Sequence, residues 1–221
     1  MSKKNTNVFI KKIFKQKNKY KITIRINDRN QIFFTKSIFE NSLKNILAAI
    51  TIISVFRDTR LLNKDIFYRF NVPNGRGDIS KIKTNKKVIK FIDESYNANP
   101  LSVNSALKNF DLIKQDSSKK HLILGDMLQL GKHSQRLHEK LAKNINASKI
   151  DYVYVYGNEV KRTYNKISLK KRGSILRGKN EIISLIKNNI NNNDYLMIKG
   201  SNSTGLNKIA KNLKKGILNA L

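Results

Sequence analysis

Phe91-Ile92-Asp93-Glu94-Ser95-Tyr96-Asn97-Ala98-Asn99-Pro100 is the stretch whose reading decides the fold. The apolar run Val88 to Ile92 reads as a buried strand that stops at two adjacent carboxylates, an amide-rich turn and a proline. A helical pattern follows, with Ser102 as its expected N-cap. In a parallel α/β sheet, ligands gather beyond the carboxyl ends of the strands, so the adjacent acids stand where a site is expected. The same residues serve equally as an Asx-rich turn capping the helix, and spacing alone leaves both readings open.

Downstream, strands are expected at Val88 to Ile92, His121 to Leu124, Tyr152 to Tyr156, Ser174 to Leu176 and Tyr195 to Ile198. Helical patterns fill the intervals: Ser102 to Lys114, Ser134 to Asn144, Glu159 to Tyr164, Asn180 to Asn189 and Leu206 to Leu218. This alternation predicts an α/β fold, a mainly parallel Rossmann-like sheet with helices on both faces.

Upstream, Tyr20 to Ile26 alternates, Asn27 to Asn30 supplies turn residues and Gln31 to Thr35 begins a second strand, which makes a hairpin. Leu43, Ile46, Leu47, Ile50 and Ile53 fall at helical spacing behind Asn41 or Ser42 as cap, and Asn63 is expected to cap a short helix through Phe70. Residues up to about Lys19 read as a poorly ordered lead-in. Val8 to Phe14 admits a basic membrane-surface segment, but a solvated turn or frayed strand is the preferred reading. Breaker-rich Asn71 to Gly77 reads as a linker, dividing the chain into residues 1–77 and 78–221.

Three candidate site residues lie just past predicted strands: Glu94, Asp126 and Lys199. The small residues Gly200 to Gly205, ahead of a helix, either leave backbone N–H groups open to a carboxylate or phosphate, or form an ordinary N-cap. Gly173 to Asn180 nearly fits the spacing of a phosphate loop. It reads as a decoy, because Asn180 replaces the metal-binding hydroxyl and apolar strand residues lie inside the supposed loop. His133 and His138, five apart, do not share a helix face, and His121 adds no third ligand to them, so no metal site is expected.

With 221 residues the chain can bury a substantial core. A formal charge of +30 implies non-specific attraction to polyanions at low salt. Lys, Asn and Ile are abundant throughout, as an AT-rich coding bias produces, and no RNA-binding or helix-turn-helix signature accompanies the charge. Cysteine is absent, the apolar stretch Ile46 to Phe56 is too short to span a bilayer, and the basic N-terminus lacks an apolar secretory core. A cytoplasmic location is therefore expected.

Asp93 to Pro100 resembles the Asp-Asp/Glu-Ser-Tyr-Asn-Ala-Asn-Pro signature of Mur ligases, in particular of their D-alanyl-D-alanine-adding branch. In family order, Asn45-Ile46-Leu47-Ala48-Ala49, Gly75-Arg76-Gly77, Leu124 to Gly131 and Lys199-Gly200-Ser201 are similar to further elements of that branch. The resemblance implies an ATP-dependent amide ligase of peptidoglycan precursor synthesis, with UDP-N-acetylmuramoyl-tripeptide and D-alanyl-D-alanine as substrates and ATP with Mg²⁺ as cofactors. It implies that Asn45 contacts adenine, that Arg76 reaches the phosphates and that Glu94 holds the ribose hydroxyls. Tyr96, Asn97 and Asn99 would shape the wall beside the nucleotide, and Asp126, Lys199, Ser201 and Asn202 would lie toward the dipeptide. Asn45 reads alternatively as a polar point on a buried helix, and Arg76 as a solvated linker charge.

The resemblance covers the family enzyme's second half, from the end of its ATP-binding domain (1–77) through its C-terminal domain (78–221). The family's Gly-Lys-Thr or Gly-Lys-Ser phosphate loop and its Mg²⁺-handling residues belong upstream of residue 1. Activity is therefore expected to need a missing N-terminal half, which a separate reading frame could encode. Two residues depart from the family pattern: Asn41 stands where His is frequent, and Asn202 where Arg normally follows Lys-Gly-Ser. An alternative function is a non-catalytic basic binding protein that retains the C-terminal fold and holds an acidic partner or nucleic acid.

Overall fold

The structure, a computed structural model, describes residues 7–70, 73–83, 87–113 and 117–216. It divides into two compact units, Met1–Asn71 and Val72–Leu221.

In the first unit, an antiparallel sheet of β1 (Val8–Gln16), β2 (Lys19–Ile26) and β3 (Arg29–Thr35) packs on α1 (Glu40–Phe56). The alternation seen in β2 puts Ile22, Ile24 and Ile26 on one face, where Phe33, Ile46 and Ile50 close the core. The chain reverses from β2 to β3 through Asn27 and Asp28, and Asn27 takes a left-handed φ of 52°, which asparagine tolerates.

Three expectations for this unit are corrected. Of the segment read as a poorly ordered lead-in, residues 1–6 lie outside the described residues, and from Val8 onward the chain is a strand paired with β2, which agrees with the strand alternative for Val8 to Phe14 and corrects the disorder expected up to Lys19. A register shift between Ile10 and Lys12 inserts an extra residue: Val8 and Ile10 pack on the core, the next apolar residue in register with the β2 isoleucines is the exposed Ile13, and the period of two that marks a strand is lost. α1 begins at Glu40, with no side-chain cap, and the expected caps Asn41 and Ser42 lie inside its first turn. There Glu40 suits the helix dipole and pairs with Lys44 at 2.6 Å. Asn63 does accept from Asp65 N–H at 2.8 Å, but 64–68 is a run of turns instead of a helix, tied to β3 where Phe34 N–H donates to Lys64 O at 2.8 Å.

The second unit holds a six-stranded sheet in the order β4 (Asp78–Lys83), β5 (Val88–Glu94), β9 (Tyr195–Lys199), β6 (Lys120–Gly125), β7 (Tyr152–Tyr156), β8 (Arg172–Leu176). All neighbours are parallel except the antiparallel edge pair β4–β5. β4 was not expected: its one buried apolar side chain is Ile82, and its lysines make it read as a polar connector. Successive strand residues feed two cores. Ile89, Phe91, Ile123 and Ile198 pack under α5 (Lys179–Asn188) and α6 (Leu206–Lys214). Ile92, Leu122, Val153 and Met197 pack under α2 (Pro100–Leu112) and α3 (Ser134–Ala147) on the opposite face, with the short α4 (Lys161–Lys166) following β7. This is the α/β class the alternation predicted.

α2 is capped by Asn99, not Ser102. Asn99 Oδ1 accepts from Ser102 N–H at 2.8 Å and Ser102 Oγ accepts from Asn99 N–H at 3.0 Å, a reciprocal box with Pro100 in the first turn. The described residues contain no helix long and apolar enough to cross a membrane.

Candidate functional site

The connections after β5 and β6 cross one face of the sheet, whereas β9 inserts between them and feeds α6 on the other face. The carboxyl ends of these three strands therefore diverge, which is where an open α/β sheet leaves a crevice. Glu94 ends β5, Lys199 ends β9 directly opposite it, and Asp126 follows β6.

Lys199 is 2% exposed, yet it is ringed by oxygen. Its ammonium donates to Asn97 O at 2.5 Å and Glu94 O at 3.3 Å, and lies 3.5 Å from Glu94 Oε2. Burial pushes the Glu94 carboxyl above its ordinary range, against the pull of Lys199. Burial likewise lowers the Lys199 ammonium, against the pull of Glu94. The pair holds a carboxylate at the rim while pinning the turn that follows it.

Gly75-Arg76-Gly77 lies against this turn. Tyr96 N–H donates to Gly75 O at 3.1 Å and Gly77 N–H to Asp93 O at 2.8 Å. Gly75 and Gly77 adopt φ of 78° and 91°, which favour glycine, and both are closely approached. A Cβ on Gly75 would lie 2.9 Å from Tyr96 Cβ, and one on Gly77 2.9 Å from Glu94 Oε1. Arg76 is exposed, its guanidinium 4.5 Å from the centre of the half-exposed Tyr96 ring. The described part of the expected linker, 73–77, is thus built into the second unit.

Asp93, buried beside Glu94, was visible in the sequence as one of two adjacent acids, without a role of its own. It accepts from Ser95 N–H and Oγ–H at 3.1 and 2.5 Å, and its other oxygen lies 2.6 Å from Lys214 Nζ. Lys214 also reaches Asp78 at 2.8 Å and Asn74 Oδ1 at 3.3 Å. Burial alone would lower the Lys214 ammonium, but hydrogen bonds to Asp78 and Asp93 outweigh it and raise it above the ordinary lysine value. The signal available was Asp93 itself, quoted within the motif; nothing in the pattern marks Lys214 as its partner.

Ser201 joins the remaining loops. Its N–H donates to Asp126 O at 3.0 Å, its Oγ accepts from Leu128 N–H at 2.9 Å and donates to Ala98 O at 3.3 Å. Asp126 points its carboxylate at the turn after β7, accepting from Val160 N–H at 2.8 Å and Asn158 N–H at 3.1 Å. Asn99 is occupied as the cap of α2, while Asn97 is exposed and accepts from Ala98 N–H at 2.8 Å. Asn202 faces outward and bonds Asn207 on α6. In the loop Gly200 to Gly205, read either as open to an anion or as an ordinary N-cap, the backbone N–H groups of Ser201, Thr204 and Gly205 are taken up within the chain, and Thr204 Oγ1 accepts from Leu206 N–H at 3.4 Å. Arg76, Glu94, Tyr96, Asn97, Lys199, Ser201 and Asp126 are thus brought together, whereas Asn45 lies exposed on α1 of the first unit.

His138 is fully buried and structural: its Nε2 accepts from Met127 N–H at 3.0 Å, so Nδ1 carries the proton donated to Ser134 O at 2.9 Å. No group of three or more His, Cys, Asp or Glu suited to a metal occurs among the described residues. The strand β8 runs through the near-match to a phosphate loop, and Gly178 precedes α5.

The model of the family described as Mur ligase, glutamate ligase domain, matches residues 77–202. The UDP-N-acetylmuramoyl-tripeptide--D-alanyl-D-alanine ligase of Rickettsia prowazekii is 33% identical over 135 residues, 61% of this chain and 29% of that protein. The ligase of the same name from Buchnera aphidicola subsp. Baizongia pistaciae is 29% identical over 221 residues, 96% of this chain and 45% of its own length. The chain thus spans less than half the length of these relatives. Among solved structures, MurF ligase from Thermotoga maritima in complex with ADP superposes with a TM-score of 0.73 at 20% identity, over 99% of this chain and 48% of that one, a likeness of fold. With its sheet, its turn after β5 and the matched span agreeing, the chain belongs to the Mur ligase family, whose glutamate ligase domain it carries over residues 77–202.

Proposed function

We propose that this chain is the C-terminal portion of an ATP-dependent amide ligase that adds D-alanyl-D-alanine to UDP-N-acetylmuramoyl-tripeptide during peptidoglycan precursor synthesis. Residues 1–77 are the end of the central ATP-binding domain and 78–221 the C-terminal domain. Both relatives described above carry that activity in their names. The observation that carries the assignment is the Glu94–Lys199 pair at the ends of adjacent strands, inside the matched span.

The donor set suits a nucleoside, in keeping with the ADP held by the Thermotoga maritima structure. Glu94 is a half-buried carboxylate fixed at a rim, able to accept from paired ribose hydroxyls, and Lys199 favours its ionised form. Arg76 is exposed and cationic beside it, suited to the phosphates, and Tyr96 supplies the wall. Asn97 and Asn99 shape that wall through the turn they build. Asp126 and Ser201 hold the loops on the dipeptide side, where Asn202 offers a neutral amide in place of a bidentate cation.

When bound, ATP converts the acceptor carboxylate into an acyl phosphate, which supplies the leaving group for amide formation. The described residues hold no group of three or more His, Cys, Asp or Glu that could bind Mg²⁺ by themselves. The sequence holds no Gly-Lys-Thr or Gly-Lys-Ser loop to grip a triphosphate, and we assign that part to a companion N-terminal segment. The test is phosphate release from ATP with both substrates. The chain alone is expected to give none, and addition of a separately expressed segment bearing the phosphate loop is expected to restore it. Turnover by the chain alone would overturn the division of labour. Failure to complement, together with tight salt-sensitive RNA binding, would favour a basic binding protein.

A further inference from the structure

Asn207 and Lys211 on α6 and Lys215, its C-cap residue, recur at intervals of four residues in one row. Facing that row across a cavity of about 380 Å³ are Asn74, Gly75 and Tyr96. The floor is the Asp93–Lys214 ion pair. Among the described residues, Lys211 and Lys215 have no ion-pair or hydrogen-bond partner for their ammonium groups, and both are exposed.

The local charge balance favours an anion. Asp78 and Asp93 share Lys214, leaving one negative charge, while Lys211, Lys215 and neighbouring Arg76 add three positive ones. The C-terminal end of α6 contributes about half a negative charge, too little to reverse the sign. We propose that this cavity is a binding site for a phosphate or pyrophosphate group, free or carried by a small molecule, held between Lys211 and Lys215. Two exposed lysines four residues apart suit a dianion with several acceptor oxygens better than a single carboxylate. The site lies beyond the proposed nucleotide wall, since Glu94, Lys199 and Ser201 do not line it; the two share Tyr96.

The complication is the charge of +30, which attracts anions everywhere. Calorimetric titration of the full chain with inorganic phosphate, pyrophosphate and glycerol phosphate, at about 0.15 M salt to screen diffuse attraction, separates the two. Lys140 and Lys143, exposed on α3, provide a matched control pair. Pyrophosphate affinity is expected to fall by at least about tenfold in K211A/K215A and by less than about twofold in K140A/K143A. Comparable binding of phosphate and glycerol phosphate means that a terminal phosphate suffices; preference for the ester places the group on a small molecule, and both support the site. Equal loss in the two double variants, or no loss in the first, overturns it. Thermal melting of both variants, which alter exposed side chains, verifies that the fold is retained.

Discussion

Lys199 and Glu94 are register partners at the ends of β9 and β5, and the buried ammonium reaches past the carboxylate to the main-chain carbonyl of Asn97 at 2.5 Å. One side chain therefore both neutralises the rim carboxylate and fastens the turn behind it. Replacing it with methionine leaves a half-buried carboxylate unpaired and two carbonyls without their donor, so Lys199→Met is expected to destabilise the second unit by about 2–4 kcal/mol. Adding Glu94→Gln recovers part of this, because the uncompensated charge is gone while the carbonyls stay unbonded. Urea denaturation of the two variants measures the difference; equal losses would mean that the charge pair contributes nothing.

Gly77 separates a conformational role from a positional one. An alanine there meets both the positive φ and Glu94 Oε1, the movable end of a side chain. Gly77→Ala is expected to lower stability by about 1–2 kcal/mol and to displace Glu94. At Gly75 the obstacle is Tyr96 Cβ and backbone, which cannot swing aside, so Gly75→Ala is expected to be the more damaging variant in thermal melts.

His121, buried on β6 with its ring stacked on Tyr152 and Tyr154 of β7, bonds Asp194 at 3.2 Å and Tyr154 Oη at 3.3 Å. Burial lowers its pKa below 6.5, against the pull of Asp194. The unfolded chain then binds the proton more readily, so this group's contribution is fully present above about pH 6.5 and is lost as pH falls through the lower folded value. The stability gap between the protein and His121→Gln is expected to narrow from pH 7 to pH 5 in denaturant titrations. A gap that widens on acidification would show that the folded state stabilises the protonated ring.

Asn202→Arg returns a planar cation to the position after Lys199-Gly200-Ser201. Asn202 is exposed, so the change is expected to leave stability within about 0.5 kcal/mol. In the complemented ligase it is expected to lower the KM for D-alanyl-D-alanine with little effect on the KM for ATP. An unchanged dipeptide KM would remove Asn202 from the substrate side.

The parallel sheet was legible because β5, β6, β7 and β9 are apolar on both faces, and such runs need no partner to be recognised. β1 and β4 were not, for different reasons. A bulge shifts the apolar phase of β1 at Lys11 and Lys12, and β4 is an edge strand with one buried side chain. At the site, the adjacent acids were visible but their division of labour was not. Glu94 faces the rim, whereas Asp93 is a buried partner of Ser95 and of Lys214, 121 residues away, a pairing that only the packing of α6 against β4 and β5 creates. Asp126 falls at a predicted strand end, yet its carboxylate is occupied by backbone N–H groups, a commitment that residue type cannot reveal.

The central claim is that the Glu94 carboxylate, braced by Lys199, is the nucleotide-facing element of this chain. The most direct measurement is the steady-state KM for ATP of the ligase activity that this chain gives with a separately expressed segment bearing the phosphate loop, with Glu94→Gln in place of Glu94. A rise of at least about tenfold in that KM, with kcat reduced much less, is the predicted result. An unchanged KM for ATP in a folded, reconstituted Glu94→Gln enzyme would contradict it.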